Sequence, residues 1–128
     1  MSLRGYNELG GFIMIRRGNE CRYEIREHMR EGDGQVVVTD LFEKSELLGK
    51  ARMFGTLRLE PGCSIGTHQH SDEQEYFYVI KGEPLYYDDE REIQLHEGDV
   101  TVCEDGHRHS LANRTDSTVL VLAVIILK

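Results

Sequence analysis

From about Phe12 onward, short runs of β-favouring residues are broken by turn signals at close intervals, and this rhythm leaves little room for helix. A chain divided in this way has to pair strand with strand, so the pattern predicts an all-β sandwich or barrel. Residues 35–39 and 52–60 read as strands. In the second, Leu57 and Leu59 alternate with Arg58 and Glu60, giving one dry face and one wet one, and Pro61-Gly62 ends it in a turn. Residues 75–81 form a strand rich in aromatic and β-branched side chains, and 85–87 and 92–96 pair across the acidic tip at 88–90. After the turn Glu97-Gly98-Asp99, Val100–Cys103, 107–112 and Val119–Leu127 complete the set. The last is the most apolar stretch, about half the length needed to cross a bilayer as a helix, and is expected as a buried strand. Only 24–30 and 45–51 carry helix-favouring residues, each enough for one short turn, with Ser45 as the cap of the second.

A length of 128 residues suits one hydrophobic core, and 39% hydrophobic against 30% charged residues is the profile of a soluble globular domain. Met1-Ser2-Leu3 reads as an expression remnant; residues 1–13 are an N-terminal extension and 14–128 a single barrel domain. Fifteen basic against 23 acidic residues leave a net charge of −8, and no stretch gathers the lysines and arginines that nucleic acid or an anionic membrane surface requires. No secretion signal opens the chain, and Cys21, Cys63 and Cys103 are widely spaced with no CxxC pair, which together predict a reducing, cytoplasmic setting.

The chemistry concentrates around a few polar residues. His68 and His70 are two apart, so a strand sends both imidazoles to one face, where they can share a metal ion. A short polar turn, residues 71–74, leads into the strand that opens with Glu75, and His109 follows one hairpin after that strand; three imidazoles and one carboxylate make a plausible ligand set. Glu73 lies two residues before Glu75 and is a further ligand candidate if the turn is tight. His107 shares strand parity with His109, whereas His28 and His96 read as surface residues. Tyr76 and Tyr78 face away from Glu75 and are expected to pack on the outside of the sheet, and Cys63 and Cys103 read as core or rim thiols.

Two spacings carry a family resemblance. Gly62, five residues, His68, one, His70, four, Glu75, six, Gly82 is similar to the first cupin motif at every fixed position. Gly98, five residues, Glu104, one, Gly106, two, His109, three, Asn113 resembles the second motif, with Glu104 where proline is usual, a departure that bears on the turn leading to His109. From Met14 onward the chain looks like small single-domain bacterial cupins. The resemblance implies a double-stranded β-helix, or jelly-roll barrel, with one divalent ion (Mn, Fe, Ni, Co or Zn) between the sheets on His68, His70, Glu75 and His109.

Such a ligand set leaves neighbouring positions open on an octahedral ion, which suits a small chelating acid or keto compound. A metal-dependent decarboxylase, dioxygenase or isomerase is therefore the first expectation, and a non-enzymatic ligand-binding or regulatory cupin the alternative. Turnover needs a proton donor or acceptor beside the metal, and Glu73, His107 and Glu104 are the candidates. A homodimer is expected, with the segment Phe12–Ile15 and the apolar strand Val119–Leu127 as material for strand exchange between chains.

Overall fold

The computed structural model describes residues 3–6 and 12–128. Twelve strands follow one another: β1 Leu3–Tyr6, β2 Phe12–Ile15, β3 Arg22–Glu27, β4 Gln35–Phe42, β5 Ala51–Leu59, β6 Ser64–Gln69, β7 Glu73–Lys81, β8 Leu85–Asp88, β9 Arg91–Gln94, β10 Val100–Cys103, β11 Arg108–Ala112 and β12 Val119–Leu127. The only helix among the described residues is three single 3₁₀ turns, Gly18–Glu20, Met29–Glu31 and Lys44–Glu46.

All pairings are antiparallel. One sheet runs β10-β7-β12-β5-β4-β3, a second runs β6-β11-β8-β9, and β1 with β2 forms a separate hairpin. The boundary expected between residues 13 and 14 therefore falls inside β2. The inner faces of the two larger sheets meet in one core that joins Val36, Leu57, Leu59, Val79, Val119 and Val121 to Ile65, Tyr86 and Leu111. This is the jelly-roll barrel expected from the sequence. Each fully buried aliphatic side chain contributes about 1.5–3 kcal/mol of transfer free energy.

β12 matches its expected bounds, and its burial alternates because Val119, Val121, Ala123 and Ile125 point inward. It lies between β5 and β7 with both edges paired. Residues 24–30 differ from the helical expectation: 22–27 extend as β3 along β4, and only Met29–Glu31 turns. Pairing with a neighbour outweighs the weak helix preference of a run whose Tyr23 and Ile25 already alternate with charged residues. The turn near Ser45 starts one residue earlier, and its cap is Glu43, which forms a capping box with Glu46.

Candidate metal centre

The two sheets each supply part of one cluster. His68 on β6 and His109 on β11 are direct cross-strand partners, while His70 lies just past the end of β6. Glu75 is the third residue of β7, in the facing sheet. The β6–β11 register slips between His109 and Leu111, a bulge of the kind that re-aims a side chain. A second link comes from the backbone: Gly106 N–H donates to His70 O at 2.7 Å and His70 N–H to His107 O at 3.1 Å. The turn before His109 closes without proline, through His107 N–H to Glu104 O at 3.0 Å, with Gly106 at φ 88° where a side chain would be strained.

At the centre, His109 Nε2 lies 3.0 Å from His70 Nε2, 3.1 Å from His68 Nε2 and 3.0 Å from Glu75 Oε1. Glu75 Oε1 is also 3.0 Å from His70 Nε2 and 3.9 Å from His68 Nε2. The other nitrogen of each ring shows which tautomer is present. His68 Nδ1 lies 2.8 Å from the carbonyl of Gly66 and His70 Nδ1 2.5 Å from Glu73 Oε2, both pure acceptors, so each Nδ1 carries the proton. His109 Nδ1 lies 3.0 Å from Tyr86 Oη, which accepts equally well. In the neutral rings the Nε2 lone pairs then converge on one point beside a carboxylate, an arrangement that a cation relieves and neutral groups alone do not. The donor set of three imidazoles and one carboxylate suits a divalent ion, and His68, His70, Glu75 and His109 could hold one.

Behind the cluster stands a second layer. Arg52 donates to both oxygens of Glu73, at 2.6 and 2.7 Å, and this pair together with the bond from His70 holds the Glu73 carboxyl at about 2. His109 is fully buried, stacked on Phe77 at 5.1 Å between ring centroids and met edge-on by Tyr86. Burial lowers its pKa against the pull of Glu75, and burial likewise raises that of the Tyr86 phenol. For Glu75 burial acts upward, but His109, His68 and His70, when protonated and donating from Nε2, outweigh it and hold the carboxyl below the usual range. Burial and Glu75 together push the Cys103 thiol, the cross-strand partner of Glu75, up to about 12.

The remaining sequence candidates lie elsewhere. Glu73 faces the far nitrogen of His70 rather than the convergence point. His107 is exposed and bonded to Asp89 at 3.0 Å, which raises its pKa. Glu104 is exposed at the turn, and neither His107 nor Glu104 lines the cavity that opens on the cluster. His28 and His96 are exposed, as expected. Tyr76 and Tyr78 lie on the outer face of β7, in an apolar strip with Val100, Val102, Leu122 and Val124. That cavity measures about 50 Å³; beyond His68, His70 and Glu75, its titratable walls are Arg26, Arg30 and Arg52. Sequence reasoning did not single out these arginines or Tyr86. Tyr86 had a signal, since alternation along 85–87 sets it apart from its neighbours on the inner face.

A two-sheet β-barrel with a histidine and glutamate cluster between its sheets defines the class of protein. Residues 55–125 match the cupin domain family, and the chain belongs to it. It is 36% identical over 117 residues to the oxalate-binding protein of Thermotoga maritima, covering 91% of this chain and 97% of that one. A crystal structure from Thermotoga maritima, of a protein described as a predicted oxalate decarboxylase, superposes with a TM-score of 0.86 at 36% identity, covering 90% of this chain and 100% of that one. A cupin sugar phosphate isomerase from Silicibacter pomeroyi is more distant: 26% identity and a TM-score of 0.64, over 73% of this chain and 60% of that one.

Proposed function

We propose that this cupin holds one divalent ion on His68, His70, Glu75 and His109 and uses it to bind a small organic acid of the oxalate class. The observation that carries the reading is the cavity of about 50 Å³ on the open side of the cluster, walled by three arginines. That is room for a few water-sized groups, enough for a two-carbon acid. The similarity to an oxalate-binding protein points the same way.

The ligand atoms also favour an ion with open positions. Neighbouring atoms of an octahedral shell with bonds of about 2.1 Å lie about 3.0 Å apart, whereas tetrahedral neighbours lie about 3.4 Å apart. Four of the separations here are 3.0–3.1 Å, close to the octahedral edge, and the fifth, His68 Nε2 to Glu75 Oε1, is wider at 3.9 Å. An ion held there would supply a Lewis acid for carboxylate oxygens. Mn, Fe, Ni, Co and Zn all suit the donor set. The chain's own part is to fix the three imidazoles through Gly66 O, Glu73 and Tyr86 and to surround the ligand with positive charge.

Between binding and turnover, the cavity walls favour binding. Decarboxylation delivers a proton to the carbon that loses carbon dioxide, and the candidates for that task are placed elsewhere: Glu73 is taken up by Arg52 and His70, and His107 and Glu104 do not line the cavity. In the proposed homodimer, the apolar strip of Tyr78, Val100 and Val102 beside the unpaired edge of β10 would be covered by a second copy; light scattering at micromolar concentration reads the mass. For the site, titration calorimetry of manganese-loaded protein with oxalate is expected to give one-to-one binding, and long incubation to give no formate or carbon dioxide. Heatless titration overturns the ligand class, and steady formate release restores the enzyme reading.

A further inference from the structure

Resting on that reading, we infer that Arg30 is the second anchor of the ligand: its guanidinium receives the carboxylate of a dianion whose other end chelates the metal, so that the site selects dianions over monoanions. Of the three arginines that wall the cavity, two are committed. Arg52 is held by both oxygens of Glu73, and Arg26 is paired with Glu24 at 2.5 Å. Arg30 has no ion-pair or hydrogen-bond partner for its side chain among the described residues, although it lines the cavity beside His68 and His70. A planar fork of donors is well matched to a carboxylate.

The backbone around Arg30 is built at some cost. His28, Arg30 and Glu31 all have positive φ, at 49°, 54° and 67°, in a four-residue stretch without glycine. Each such residue costs on the order of 1 kcal/mol, and strain of this kind gathers at ligand sites. The segment is clamped to β6, the strand that carries His68. A Cβ on Gly66 would lie 1.9 Å from Arg30 O, and one on Gly32 would lie 2.2 Å from Ser64 O, so the two backbones touch where side chains would separate them. Glu31 N–H to His28 O at 2.9 Å and His28 N–H to Gly34 O at 2.9 Å hold the turn. A strained, clamped turn thus presents an uncommitted arginine at the mouth of the cluster.

The test is calorimetric titration of the full, manganese-loaded chain with oxalate and with glycolate, which offers the metal a carboxylate but has no second one for Arg30. Arg30→Gln should weaken oxalate about 10- to 100-fold and glycolate less than about 3-fold. Arg30→Lys should recover part of the loss. Arg30→Asn, a residue that tolerates the left-handed backbone, should match Arg30→Gln, with manganese content and melting temperature as in the unaltered protein. Oxalate affinity within about 2-fold of the unaltered protein in both Gln and Asn variants overturns the role of Arg30 while leaving the proposed function in place. Weakening by Gln but not by Asn assigns the effect to the turn and also overturns it. If the unaltered, loaded protein binds neither acid, the proposed function fails first, and the anchor with it.

Discussion

His68 and His109 are cross-strand partners in the same cluster, yet their rings meet different surroundings. His109 belongs to the floor: it is sealed under Phe77 and Tyr86, with no exposed surface. His68 belongs to the mouth, where it shares the cavity wall with Arg26, Arg30 and Met29. The floor is rigid because aromatic packing fixes it. The mouth is held by backbone clamps and by ion pairs that occupy Arg26 and Arg52, which leaves the Arg30 guanidinium as its unpaired charge among the described residues. On the proposed function, holding the ion would be a task for the core and choosing the ligand a task for the rim.

Removing one histidine from each end tests that division most strongly. His109→Ala should lower metal affinity by more than about 100-fold, the upper end for losing a mere supporting partner, and should cost the metal-free protein about 2–4 kcal/mol through the cavity it leaves. His68→Ala should lose metal comparably while leaving the metal-free melting temperature within a few degrees. Elemental analysis and melts of both metal-free variants read the contrast, and equal melting losses would erase it.

A smaller effect is expected behind His70. Glu73→Gln should cost about 10- to 100-fold in metal affinity, because it weakens the acceptor that holds the ring and releases Arg52. The Glu73 carboxyl is lowered from 4.5 to about 2 in the folded chain, so its stabilisation is fully present above pH 4.5 and is lost as pH falls through about 2. The stability gap between the unaltered protein and this variant should therefore close only in strong acid, as followed by denaturant titration across pH.

Tyr86→Phe should weaken metal binding about 2- to 10-fold, the worth of one neutral hydrogen bond to His109. The smallest effect lies outside the site. His107 has its pKa raised by Asp89, so their contact stabilises below the unfolded value of 6.5 and fades as pH rises through the raised one. The melting difference between His107→Ala and the unaltered protein should shrink between about pH 5.5 and pH 9, with metal content unchanged.

The four cluster residues were legible because each motif fixes residues only a strand or a turn apart, and short spacings survive folding. Val100–Cys103 and Val119–Leu127 were legible to the residue, since strong β-formers bounded by turns leave few alternatives. β3 was not, because every one of its residues is exposed and only its partner β4 makes it extended. Arg52 reaches Glu73 across 21 residues and Tyr86 reaches His109 across 23, and no local pattern encodes such a meeting. Asn113, the last position of the second motif, follows the end of β11 and ties down the loop, donating to Leu59 O at 2.8 Å and Ser117 O at 2.7 Å, contacts across 54 and 4 residues of which only the second is local.

The place of β12 also has a consequence for how the protein is made. The Glu75 strand and β5 are not neighbours in their sheet; β12, which follows both in the chain, fills the gap between them. During synthesis β7 therefore emerges with both edges open, and the edge toward β5 waits longest, for a strand still to be translated. The contacts that close the sheet are long-range ones, the kind that slow folding and leave intermediates prone to association. Metal added to a nascent or truncated chain lacking Val119–Leu127 would meet Glu75 on an unfinished sheet, so loading belongs after the barrel closes, and refolding yield should depend on dilution more than on the metal supplied.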